Sequence, residues 1–170
     1  MKVLLAAASV LFCLPIAAQN GPTAPPAGVL TPAVVQQLMP PSVFFSSQTA
    51  TTQIRNSAGI KFADGRIALA GLVDTGGYST GLRERYQFYV LTDAPLEFGG
   101  KRLPPGSYGA GFVNGQMLVM DLAGTELFHV PVVHDAGLTR PRPLQIVAER
   151  AGEGYRLYLG RDYVALRRAR

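Results

Sequence analysis

Cysteine is all but missing from this sequence, with Cys13 standing alone among 170 residues. One thiol excludes an internal disulfide, so the fold must hold itself through a hydrophobic core and not through covalent staples. Lysine is nearly as scarce, Lys61 and Lys101 being the only ones after Lys2. Charged residues make up 16% and the formal net charge is +5, the excess lying in scattered arginines. A dense basic stripe interleaved with aromatics is absent, which argues against nucleic acid as a partner. Arg167, Arg168 and Arg170 cluster at the end and read as a solvated basic tail. Such a tail supplies at most a weak attraction to anionic envelope surfaces.

Charge-free apolar runs are short. The longest, from Val3 to Ile16, falls below the roughly 20 residues of a membrane span, and Pro15 interrupts it. Lys2 before it and Ala17-Ala18 after it give the layout of a cleavable secretory signal, so residues 1–18 are expected to be removed. Cys13 comes after the bulky Leu11-Phe12, which does not suit lipid-directed cleavage, and leaves with the signal. The mature chain is then exported, periplasmic or extracellular, with no transmembrane segment. Its length suits one domain, and 48% hydrophobic residues provide a globular core.

Residues 19–30 carry Pro22, Pro25, Pro26, Gly21 and Gly28 without a charge, the composition of a flexible spacer. A single domain is expected over 31–170. Thr31-Pro32 is an N-cap and first-turn pair and Pro40-Pro41 is a stop, which together predict a short helix at 32–39 docked by Val34, Val35 and Leu38.

Past Pro41 helical periodicity is lacking, and short β-rich runs alternate with turn dipeptides. Strands are expected at 43–47, 51–56, 59–62, 66–73, 83–92, 96–98, 107–113, 116–121, 126–133, 143–150, 155–159 and 163–168. Asp64-Gly65 and Asn114-Gly115 sit between apolar runs as two-residue hairpin turns, and Gly99-Gly100, Ala123-Gly124 and Gly160-Arg161 fit the same role. The expected fold is all-β, an antiparallel meander forming a β-sandwich or β-barrel. Residues 66–73 are apolar on both faces and should lie centrally or under the helix. In 83–92 the set Tyr86, Phe88, Val90 opposes Arg85, Gln87, Tyr89; in 155–159 Tyr155, Leu157 and Leu159 oppose Arg156 and Tyr158. Each second set is expected to face water. Leu103-Pro104-Pro105-Gly106-Ser107-Tyr108 resembles a hairpin common in secreted β-sandwich modules, which speaks to fold and not to activity. Thr139-Arg140-Pro141-Arg142-Pro143 reads as a stiff extended connection.

Leu72-Val73-Asp74-Thr75-Gly76 resembles the active-site loop of retropepsin-like aspartic proteases, and Tyr158-Leu159-Gly160-Arg161-Asp162 resembles a later element of that family. The resemblance implies a dimeric hydrolase in which Asp74 shares a proton with its counterpart and activates water, Thr75 braces the loop and Gly76 completes it. Gly77-Tyr78 stands where that family places a small residue. The plainer reading makes the same residues a turn leaving a buried strand.

His129 and His134 are spaced to opposite strand faces, so no metal site is expected, and no cofactor is implied. The loop 74–82 offers Tyr78 as a stacking aromatic, and a sheet face would offer Tyr89 and Tyr158. The functional expectation is a non-catalytic exported domain, a binding module or structural envelope component. Its partner would be a small molecule, a glycan or another envelope constituent. A barrel carrying a small apolar ligand is a further alternative.

Overall fold

Left-handed turn residues fold this chain back on itself. Asn114 and Gly115, at φ 51° and 74°, close a hairpin in which Val113 pairs with Gln116. Gly99-Gly100 and Gly160-Arg161 close two more. The computed structural model describes residues 26–149 and 154–170, so the expected signal at 1–18 lies outside the described residues. Along the chain come β1 (Gly28–Val29), α1 (Pro32–Leu38), β2 (Ser42–Phe45), β3 (Gln48–Lys61), β4 (Ile67–Val73) and α2 (Thr80–Arg85). They are succeeded by β5 (Phe88–Thr92), β6 (Leu96–Phe98), β7 (Lys101–Leu103), β8 (Gly106–Val113) and β9 (Gln116–Met120). The last are β10 (Glu126–Pro131), β11 (Val133–His134), β12 (Leu144–Ala148), β13 (Tyr155–Leu159) and β14 (Asp162–Arg168).

The fold is all-β and antiparallel. A larger sheet has the order β1-β3-β4-β5-β8-β9-β10 with β2 added on β3, and a smaller one has β12-β13-β14-β6-β7 with β11 added on β14. The meander is interrupted twice: after β5 the chain crosses to the smaller sheet for the β6–β7 hairpin and returns as β8 beside β5, and after β10 it crosses again, β11 pairing with β14. Pro95 and Pro104-Pro105 flank the first excursion, and proline cannot donate into a ladder, so the chain leaves the sheet where they stand.

Between the sheets lies one cluster of buried side chains, drawing Ile60, Ala70, Phe88 and Val119 from the larger sheet and Phe98, Leu144, Leu157 and Leu166 from the smaller. This is sandwich packing with interleaved inner faces. β4 is buried on both sides, as its composition requires. Ala68 and Ala70 join the central cluster, while Leu69 packs outward against Leu30, Val35 and Met39.

Three details differ from expectation. The helix docks through Val35 with Val34 partly buried beside it, as expected, but the next inward position is Met39, four residues on from Val35, whereas Leu38 is 42% exposed. Within the spacer expected over 19–30, Gly28 and Val29 pair with Lys61 and Ile60 and Leu30 is buried, while 19–25 lie outside the described residues. The strand expected over 83–92 begins only at Phe88, with α2 occupying the preceding stretch. α2 offers just one half-buried apolar residue, Leu82, too little for a helical period to register. Arg83 and Arg85 in its last turn suit the negative end of the helix dipole.

Candidate functional site

Asp74 leaves β4 with its amide donating to Thr51 O at 2.8 Å, while its own Oδ1 accepts from the Gly76 amide at 3.0 Å. Tyr78 N then donates to Thr75 O at 3.0 Å. This is an Asx turn leading into a second turn, with Asp74 and Gly76 exposed and Thr75 half-buried. The later segment Tyr158 to Asp162 forms the β13–β14 hairpin of the other sheet, with Gly160-Arg161 as its turn. The two short elements that resemble the protease family therefore sit in different sheets.

Tyr78 and Tyr89, expected to face water, are both buried at 6% exposure. A second apolar layer covers the larger sheet on this side: β2, the 74–79 turns and the end of α2 bring Val43, Phe45, Tyr78 and Tyr86 over Val73, Tyr89, Leu118 and Met120. Strand alternation places Tyr89 on the correct face, but that face is roofed. Tyr78 donates its hydroxyl to Phe45 O at 3.0 Å and packs edge-on against Tyr86, ring centroids 5.4 Å apart. Tyr86 stacks on Phe45 at 4.0 Å. Burial pushes the Tyr86 phenol well up, with Tyr78 and Tyr89 adding to it, and its hydroxyl is buried with no partner among the described residues. The cluster is structural packing and offers no stacking platform.

Tyr158 is also buried, at 2% exposure, although it points away from the central core as expected. Its hydroxyl donates to Asp135 Oδ2 at 2.8 Å, and its ring lies 5.1 Å from that of Tyr163. Arg156 sits 4.6 Å over the Tyr163 ring and donates to Glu149 at 3.2 Å. Hydrogen bonding to Tyr158 and Glu149 raises the Arg156 guanidinium above its ordinary value. These groups satisfy one another.

The two histidines are separated by more than strand alternation. His129 on β10 meets Glu126 at 3.1 Å, which also accepts from Arg85 at 2.6 Å; His134 on β11 meets Asp162 at 2.7 Å in the smaller sheet. Among the described residues no group of three or more His, Cys, Asp or Glu converges as metal ligands would. Gly77-Tyr78-Ser79-Thr80-Gly81 has the Gly-x-Ser-x-Gly spacing of a nucleophile elbow, a motif easily passed over inside this loop. Ser79 has φ −58° at the start of α2 and lacks the strained turn an elbow needs, and among the described residues no hydrogen bond joins it to either histidine.

A different surface stands out. At the β6–β7–β14 end of the smaller sheet lies an open cleft of about 1140 Å³. Arg102, Arg167, Arg168 and Arg170 line it against the carboxylates Glu97 and Glu149. The terminal arginines are thus not all a solvated tail. Arg167 pairs with Glu97 across the β14–β6 ladder, and Arg168 donates to Asp64 at 2.6 Å. Arg102 and Arg170 have no carboxylate partner among the described residues.

The fold and these surfaces define an antiparallel β-sandwich with a second apolar layer on the larger sheet and an arginine-lined cleft at one end of the smaller. No protein-family model matches the chain, and neither the curated proteins nor the solved structures contain a match. Among the described residues no helix is long and apolar enough to cross a membrane.

Proposed function

We propose that the chain is an exported, non-catalytic binding domain whose partner is an acidic, extended molecule such as an anionic envelope glycan. One observation carries this reading: the cleft at the β6–β7–β14 end of the smaller sheet is lined by four arginines and two glutamates, and Arg102 and Arg170 among them make no ion pair with any described residue. An open cleft of this size suits a chain laid along it better than a small molecule enclosed within it. Two packing facts favour binding over the alternatives. Asp74 caps its own turn instead of facing a cleft, which speaks against the aspartic hydrolase. The space between the sheets is filled by side chains, which speaks against an apolar cargo.

An array of acidic and neutral oligosaccharides tests the proposal. Acidic ligands should bind, weaken as salt is raised, and lose about tenfold or more in affinity to an Arg102→Glu, Arg170→Glu double variant. Equal binding of neutral ligands, or an unaffected variant, would refute it. Fractionation with sequencing of the mature N-terminus tests export, and retention of the intact N-terminus inside the cell would count against it.

A further inference from the structure

β3 and β4 lose their regular register once. Thr52 pairs with Val73, yet the next pair is Ser57 with Gly71, so residues 53–56 stand opposite the single residue Leu72. A bulge this large pushes backbone and side chains out of the sheet, a device found repeatedly beside functional sites. It is braced from within: Asn56 Nδ2 donates to Gln53 Oε1 at 2.9 Å, and Ser57 Oγ donates to Ile54 O.

The bulge abuts α1 and the chain entering β12. Between them is a pocket of about 200 Å³ to which Gln36, Arg55, Asn56, Ser57, Arg142 and Pro143 contribute. No aspartate or glutamate lines it. Arg55 and Arg142 have no carboxylate partner among the described residues, unlike Arg66, Arg85, Arg156, Arg167 and Arg168. Arg142 is also held between Pro141 and Pro143, which restrict its backbone to extended conformations and reduce the entropy lost on binding.

Arg55 and Arg142 both line this small pocket, and no carboxylate lines it with them, so it gathers like charge that an anion would offset. The volume is too small for a polymer and fits one compact oxyanion. Arginine's planar fork presents paired donors to such a group, and two forks match the nearly double charge of phosphate. We infer that the pocket between the β3 bulge, α1 and the start of β12 is a binding site for a phosphate group, held by Arg55 and Arg142 with the Gln36 amide beside them. The phosphate would be free or carried on a small molecule. This site is separate from the cleft of the proposed function and shares no residue with it.

The test uses the purified full chain, isotope-labelled, titrated with inorganic phosphate, glycerol phosphate, acetate or chloride at matched ionic strength. Phosphate should produce saturable shifts at the amides of residues 53–57 and the Nε–H signals of Arg55 and Arg142. Glycerol phosphate binding as tightly as the free ion would identify a phosphomonoester site; clearly weaker binding would identify a site for the free ion. Arg55→Gln and Arg142→Gln should each weaken binding by about tenfold or more. Arg83→Gln, on α2 and outside the pocket, should leave it unchanged, as should the Arg102→Glu, Arg170→Glu double variant. Shifts equal to those with chloride, shifts that never saturate, or unchanged affinity in both pocket variants would overturn the inference. Preserved spectral dispersion in each variant shows that a loss is local.

Discussion

The Arg168 guanidinium on β14 donates to Asp64 Oδ2 at 2.6 Å, joining the β3–β4 turn of the larger sheet to the last strand of the smaller one. Arg168 also lies 5.7 Å from the centre of the Phe62 ring, so the cation closes one rim of the sandwich through both charge and packing. Partial burial tends to raise the Asp64 carboxyl. The Arg66 amide and the Arg168 guanidinium together outweigh it and hold the carboxyl below its ordinary value. A carboxylate depressed in the folded state contributes stability above its unfolded pKa and loses that contribution as pH falls through the folded value. Thermal midpoints should therefore be level near neutrality and fall below about pH 4. Asp64→Asn should lower the neutral midpoint modestly, shrink the acid-side fall, and do so less in high salt because the pair is part-exposed. Thermal circular dichroism across pH and salt measures all three, and an Asn variant with an unaltered acid limb would sink the assignment.

Gly109 and Gly111 let the roof of the larger sheet sit down on β8. A Cβ at Gly109 would lie 2.3 Å from Phe45 Cε2, and one at Gly111 would lie 2.2 Å from Arg85 O. Alanine at either position should destabilise by about 1–3 kcal/mol through overpacking. The two should differ in rescue. The obstacle at 109 is a side chain, so Phe45→Leu added to Gly109→Ala should recover part of the loss. The obstacle at 111 is backbone, so the same second change should recover nothing. A denaturant double-mutant cycle reads the coupling directly.

These glycines also show where the sequence was legible and where it was not. The turn dipeptides are short-range signals, and the hairpins at Gly99-Gly100, Asn114-Gly115 and Gly160-Arg161 stand where they are expected. Strand period correctly separates Leu157 from Tyr158 and Phe88 from Tyr89. Exposure was not legible, because period two tells which face a residue occupies and not what covers that face. Tyr89 lies under Tyr78 and Tyr86, which reach it only through tertiary folding, and Tyr158 is tied to Asp135 from a distant connection. The alternate glycines of Gly109-Ala110-Gly111 were the available sign that something packs closely on that face. The arginine cleft and the phosphate pocket are assembled from residues far apart in the chain, so no local pattern announces them.

The hydroxyl of Tyr86 is buried in an aromatic cluster and has no hydrogen-bond partner among the described residues. Removing an unsatisfied buried donor while keeping the ring should be neutral or favourable, since such a group costs about 1–3 kcal/mol. Tyr86→Phe is therefore expected to stabilise the protein by about 1 kcal/mol. Tyr86→Ala should cost about 3–5 kcal/mol through the lost stack on Phe45. Urea denaturation of both variants decides it, and a clear loss in the phenylalanine variant would mean the hydroxyl has a partner such as an enclosed water.

Ser46 and Ser47 close the β2–β3 hairpin with φ 46° and 63°, almost the angles of Asn114 and Gly115 in the β8–β9 turn. Both positions demand the left-handed region, where asparagine and glycine are comfortable and serine is not. Replacing serine there relieves about 1 kcal/mol per residue, while a new glycine returns part of it by loosening the unfolded chain. The net for Ser46→Asn with Ser47→Gly is a gain of about 0.5–1 kcal/mol. The Ser46 amide donates to Leu122 O at 2.8 Å, a backbone bond that either residue type preserves, so the hairpin should stay seated on the β9–β10 turn. A raised urea midpoint with an unchanged slope is the expected result. An unchanged or lowered midpoint would mean that the serine hydroxyls contribute more than the strain relieved.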